Sequence, residues 1–287
     1  MLLVAPPLNE LRDEIDRIDR AILELLVERT EIVRQIGRIK NDRLDGRLAI
    51  RPAREARILR RLMESAGDRF PHAVLVRIWR ELLAALTRLQ APLSVAVCAP
   101  RGFAIWDLAR DHFGSLTPMT RAESAGQAVR AVANGSAAVA VLPLPGDDDP
   151  WWLALLSDQP DRLRVFARLP FIGSDEHEPC AAGALAIARI KIEPSGDDLG
   201  LLAVEATPDL SRGRVADLLV SAGFAPVSLG GCRPPGEAQV LHVVETPGLV
   251  QDGDERIVRV LAAARDEVSR IVPIGGYPRP HRSRPAP

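Results

Sequence analysis

From Leu8 to Asn41 the chain repeats apolar residues at alternating steps of four and three: Leu11, Ile15, Ile18, Ile22, Leu25, then Ile32, Ile36 and Ile39. Such spacing is a heptad seam, the signature of a long helix that packs along another helix. One seam position, four after Leu25 and three before Ile32, is Arg29. An unpaired buried guanidinium costs several kcal/mol, so Arg29 either escapes to solvent or meets an anion inside the bundle. The helix would be roughly 50 Å long at 1.5 Å per residue, and no second seam of that length occurs in the chain. Its simplest partner is the same helix of another subunit. Asn9 is placed to cap its start, and Arg12 stands where a capping box has Glu. Arg12 and Lys40 each follow a seam residue and share a face, about 42 Å apart, with Arg29 about 26 Å from Arg12. No small molecule touches both ends within one chain. An antiparallel pair brings Arg12 of one helix toward Arg29 and Lys40 of the other, which predicts a cationic pocket shared between subunits.

At 287 residues the chain has room for two or three domains. A formal net charge of -1 gives no general polyanion footprint, so neither nucleic acid nor an acidic membrane is expected as a partner. Of 37 basic residues only Lys40 and Lys191 are lysine, so Lys40 departs from the chain's own habit. Its plain alternative is an exposed cation at a helix end. Cys98, Cys180 and Cys232 lie far apart with no C-x-x-C spacing, which fits reduced thiols and a cytoplasmic location. No metal or cofactor is expected: Asp147-Asp148-Asp149 reads as a solvated cap, and Asp175-Glu176-His177-Glu178 as a surface loop. Met1–Pro7 lacks the basic and apolar regions of a signal peptide, and no apolar run is long enough to span a membrane.

Residues 42–50 form a polar loop with Gly46, Pro52 opens a second helix ending at Gly67, and a third runs from about residue 71 to 89 with Val74, Ile78, Leu82, Leu86 and Leu89 on one face. This three-helix module is too thin to bury its apolar surface alone. From Leu93 strands alternate with helices: strands at 93–98, 137–144, 162–169 and 183–189, helices at 105–113 and 123–133, an α/β pattern with parallel pairing expected. From about residue 196 the order becomes βαββαβ, a ferredoxin-like split. From Gly275, proline, arginine and glycine dominate and disorder is expected.

The first 90 residues resemble the all-helical chorismate mutase family, whose members are intertwined dimers. The resemblance rests on Leu11-Arg12-Asp13-Glu14-Ile15-Asp16, on Glu28-Arg29, on Lys40 three residues after Gly37, on Arg54-Glu55, and on Gln90 at the end of the third helix. It implies that Arg12 from the other subunit and Arg29 bind the substrate carboxylates, that Lys40 and Gln90 reach the ether oxygen, and that Arg54 and Glu55 complete the site. The reaction, chorismate to prephenate, breaks a C–O bond as a C–C bond forms and uses no nucleophile, proton transfer or metal. Two Arg forks can hold a dicarboxylate folded, and two donors can stabilise charge growing on the ether oxygen. Two positions depart from the family pattern, Arg51 where an acid is common and Leu86 where Ser is common.

The remainder is similar to prephenate dehydratase followed by an ACT domain. Ala99-Pro100-Arg101-Gly102-Phe103, the segment from Gly135 to Pro143, and Ile274-Gly275-Gly276-Tyr277-Pro278 carry that similarity. The dehydratase Thr-Arg-Phe is replaced by Ala181-Ala182-Gly183-Ala184, its Glu-Asn by Pro145-Gly146, and the ACT effector motifs read Gly213-Arg214-Val215 and Gly231-Cys232-Arg233-Pro234. The resulting expectation is a multidomain chain: an all-α intertwined chorismate mutase module at 1–91, a degenerate dehydratase-like α/β domain of periplasmic-binding-protein-like form at 92–195, an α+β ACT-like domain at 196–278 and a disordered tail at 279–287. The expected function is chorismate mutase in aromatic amino acid biosynthesis, acting as a homodimer through its N-terminal helices. Two other readings stand beside it: a bifunctional chorismate mutase/prephenate dehydratase, and a noncatalytic regulator that binds chorismate or an amino acid.

Overall fold

The computed structural model describes residues 7–41, 48–100, 102–146, 149–157, 159, 161–173, 183–232 and 239–282. The seam becomes α1, Leu8–Asn41. It stands largely clear of the rest of the chain: its seam residues from Leu11 to Ile39 are 37% to 73% exposed, and Gly37 is the one buried residue among those described in α1. Helix α2, Pro52–Ala66, starts on a proline whose missing N–H costs nothing in the first turn, and it stops at Gly67. After a short 3-10 turn, α3 covers His72–Arg88.

The face of α3 expected from the sequence is divided in the structure, with Leu86 buried and Leu82 half-buried but its other members turned outward. Val74, Ile78 and Leu89 are exposed, whereas Leu75, Val76, Ala84 and Leu86 are buried with Arg80 and Thr87. Burial favours the second set because α2 and the following α/β unit meet there through Ala56, Leu59, Met63 and Phe171. Completely burying Leu59 and Met63 contributes about 2–3 kcal/mol each.

Strands β1 (Val95–Cys98), β2 (Met119–Ala122) and β3 (Val139–Pro143) pair in parallel, with β1 in the middle. Helices α4 (Ala104–Phe113) and α5 (Ala125–Ala133) are the crossovers. Ser124 caps α5 by accepting from the Gln127 N–H at 3.2 Å. The edge strand β2 escapes a sequence reading because of its four residues only Ala122 is buried. A 3-10 turn, Trp151–Leu155, then leads to β4 (Arg164–Leu169), β5 (Ile172–Gly173) and β6 (Ala184–Ala188). Strand β6 inserts between β3 and β4, antiparallel to both, so the sheet is mixed and not wholly parallel. A periplasmic-binding-protein-like unit has two lobes facing across a cleft. Among the described residues β1 to β6 all lie in one sheet apart from β5, which pairs with His281–Arg282.

The last unit runs β7 (Asp198–Ala206), α6 (Arg212–Ser221), β8 (Ser228–Cys232), β9 (Val240–Pro247), α7 (Glu255–Ala263) and β10 (Val268–Pro278). Its strands lie in the antiparallel order β10-β7-β9-β8, with α6 and α7 packed into one core on one face. The glycine- and proline-rich end is ordered further than expected: Gly275–Pro278 complete β10, and β11 (His281–Arg282) pairs with β5. The rest of that tail, 283–287, lies outside the described residues. Both units share one nine-stranded sheet, joined where Gly275 of β10 pairs with Val165 of β4. Glycine is required there: its φ is +139°, and a Cβ would lie 2.2 Å from the Val165 carbonyl oxygen. The helical module is fastened to this sheet by Arg60 of α2, which donates to the Asp197 carbonyl at 2.7 Å, the Arg279 carbonyl at 3.1 Å and Ser195 Oγ at 3.0 Å.

Candidate functional site

Arg29 is half-buried on α1, and its Nη1 is shut from solvent with no hydrogen-bond partner among the described residues. Burial first, and then the cation of Arg54 on α2, push its guanidinium below the usual arginine range. Two like charges held near one another, one with an orphaned donor, form an arrangement that an anion would relieve. Arg54 itself is exposed.

Gln90, just past α3, approaches the end of α1: its Cγ lies 3.7 Å from where a Cβ on Gly37 would be. Its amide donates back to the Leu86 carbonyl at 3.2 Å. Lys40 follows Gly37 by three residues, with its backbone in α1 and its side chain outside the described residues. Arg12 is exposed near the far end of α1 and makes no ion pair among the described residues. At 17 residues from Arg29, about 26 Å of helix, it does not meet the others within one chain.

Glu55 goes elsewhere. Its Oε2 accepts from Arg80 Nη1 at 2.7 Å, with side-chain exposures of 14% and 6%. Arg80 also lies 5.4 Å over the Phe171 ring, on the side of α2 that faces the sheet. Adjacent helical residues point about 100° apart, so α2 can direct Arg54 and Glu55 to different surroundings. Nearby His112 is held well below the usual histidine range by burial and by the Arg80 charge. Arg51, the departure from the family's acid, pairs with Glu193 at 3.1 Å. Arg80 was missed in the sequence, and its signal was available: an arginine between Val76 and Ala84 at steps of four, on a buried helical stripe.

A second buried polar group lies in the sheet. Tyr277 donates to Glu245, which also accepts from Ser228 Oγ at 3.2 Å and pairs with Arg168 at 3.4 Å. Burial and the Glu245 charge hold the Tyr277 hydroxyl protonated. Among the described residues no cluster of His, Cys, Asp and Glu could hold a metal, and no helix is long and apolar enough to cross a membrane.

Residues 11–91 match the family described as chorismate mutase type II. The bifunctional chorismate mutase/prephenate dehydratase of Pseudomonas aeruginosa is 31% identical over 140 residues, which cover 48% of this chain and 38% of that protein. The protein of the same description from Aquifex aeolicus is 38% identical over 112 residues, 37% of this chain and 30% of that one. The matches thus span well under half the length of these relatives. Among solved structures the chain is similar to a prephenate dehydratase from Streptococcus mutans, with 14% identity and a TM-score of 0.45 over 67% of this chain and 100% of that one. It is also similar to GqqA, described as a quorum quenching acylase, with 12% identity and a TM-score of 0.44 over 65% and 95%.

Proposed function

We propose that this chain is a homodimeric chorismate mutase whose sites form between antiparallel α1 helices, in a chain organised as a helical module at 1–91, an α/β unit at 92–195 and an ACT-like unit at 196–278. The observation that carries the reading is Arg29: a cation on the seam, with an orphaned buried donor beside a second cation, in the segment that matches the chorismate mutase family. The exposed seam of α1 and the exposed stripe Val74, Ile78 and Leu89 of α3 support a second copy as the covering partner, since an apolar surface of this length is costly to leave in water.

In this reading the partner subunit's Arg12 and Arg29 grip the two carboxylates of chorismate, and Arg54 adds positive charge at the mouth. Lys40 and Gln90 donate to the ether oxygen as its bond to carbon breaks. The Gln90 amide has to leave the Leu86 carbonyl, a weak helical contact, to do so. Glu55 is tied to Arg80, so its part is to brace α2 against the sheet, and a direct contact to the substrate hydroxyl would need that pair to open. The α/β unit is read as without dehydratase activity: Ala181-Ala182-Gly183-Ala184 supplies no hydroxyl to help water leave. The strand order of the last unit supports an ACT-like assignment, while Arg214, paired with Glu267 at 3.0 Å, replaces the small residue of the effector motif. The test is incubation of purified protein with chorismate and identification of the products. Prephenate accumulation is expected; no turnover would overturn the mutase reading, and enzyme-dependent phenylpyruvate would overturn the assignment of the α/β unit.

A further inference from the structure

A wide cleft lies outside the surroundings of Arg29. It has a volume of about 740 Å³ and opens between the segment leading into α2, the start of β4, the chain after β6 and the turn before α7. Small-molecule sites fall between about 300 and 1,000 Å³. Five cations line it, Arg51, Arg162, Arg164, Arg189 and Lys191, against the three carboxylates Asp161, Glu193 and Asp252. Asp252 is shared by Arg162 and Arg164, so one carboxylate answers two guanidinium groups. Arg51 is matched by Glu193, and Arg189 donates to the Asp161 and Ala133 carbonyls with the exposed Asp161 carboxylate 3.5 Å away. Lys191 makes no ion pair among the described residues and is exposed. The decisive group is Arg162. Its side chain is only 6% exposed, and its Nε is buried with no hydrogen-bond partner among the described residues. A buried charged donor left unpaired is costly, and here it belongs to a residue that lines a cleft. The N-terminus of α2 adds to the positive field, because Arg51 supplies no side-chain cap there. The lining also includes the aliphatic side chains of Ile50, Ile192 and Val250.

We propose that this cleft binds a small organic carboxylate, its anionic head held by Lys191 and the Arg162 guanidinium and its apolar body against the aliphatic side chains of the lining. The site is separate from the Arg29 pocket, and the proposal holds whatever the helical module catalyses. Arg162 also donates to the Pro273 carbonyl at 3.1 Å and serves the fold, so the deciding variant is Lys191→Met at an exposed position. Titration calorimetry on the full chain would use 3-phenylpropanoate, its uncharged amide, and inorganic phosphate. Saturable binding of the carboxylate is expected, weakened about tenfold in Lys191→Met and unchanged in Arg29→Ala, with the amide and phosphate binding much more weakly. Absence of saturable binding, equal affinity in Lys191→Met, or equal affinity for the amide would overturn the site. Phosphate binding as tightly as the carboxylate would overturn the organic ligand class. Binding lost in Arg29→Ala and kept in Lys191→Met would place the ligand on the helical module and equally defeat the proposal.

Discussion

Arg29 is costly to the fold and useful to the chemistry, and the two effects separate on mutation. Arg29→Ala removes a buried donor that has no partner among the described residues, so the melting temperature is expected to hold or rise. Losing a buried charge-assisted contact to a carboxylate costs about 2–4 kcal/mol, so kcat/KM for chorismate should fall roughly thirty- to a thousand-fold. Activity and thermal unfolding measured on one preparation check both halves, and unchanged turnover would remove Arg29 from the site. His112 makes a prediction about pH. Burial and Arg80 keep its folded pKa well below 6.5, so below about pH 6.5 the unfolded chain takes up a proton that the folded chain refuses. Stability is then full above that pH and declines as pH falls toward the lowered value, by up to about 1.4 kcal/mol per pH unit. Urea unfolding at pH 7.5 and 5.5 should show this loss, and His112→Gln should shrink it, leaving the smaller share of His281, whose pKa is also lowered by burial. An identical slope in both proteins would remove His112 as a cause. Arg29 was legible in the sequence because a seam defect is a local fact. The diversion of Glu55 to Arg80 was not, since it depends on which stripe of α3 meets the sheet.

At the scale of elements, the extents of α1 and α2 follow from local signals: a four-three repeat interrupted at Arg29, a proline at the start of α2 and Gly67 at its end. What those signals leave open is partnership. Helix α3 has two apolar stripes, and the sequence alone does not say that Leu75, Val76 and Ala84 go inward while Val74 and Ile78 stay out. The outward stripe and the α1 seam are surfaces that the described residues of one chain leave uncovered, which makes the oligomer testable by element. A charge at the seam, Ile22→Asp, lies away from every residue of the candidate site. Desolvating that carboxylate between two helices would cost several kcal/mol, enough to split a dimer at micromolar concentration. Light scattering should show the wild type as a dimer and the variant as a monomer with little mutase activity. A wild-type monomer with full activity would contradict the seam's assigned role.

For the molecule as a whole, the question is whether one site draws on two chains. The fusion of the two sheets at Gly275 and Val165 was invisible in the sequence, because it depends on a strand pairing across 110 residues. The shared site is a similar non-local claim, and it can be counted. Arg12 and Arg29 are about 26 Å apart along one helix, so Arg12→Ala and Lys40→Ala homodimers should each lose nearly all activity if every site needs Arg12 from one subunit and Lys40 from the other. Co-refolding the two variants changes the arithmetic. Each mixed dimer has one site with both lesions and one with neither, since each chain supplies the residue that its partner lacks. With random pairing about half the dimers are mixed, so roughly a quarter of wild-type activity should return if the sites act independently. A site contained within one chain admits no such rescue. Mixed dimers seen by native mass spectrometry, with activity no higher than the two parents, would refute the antiparallel arrangement and leave the cation on the seam without its proposed anion.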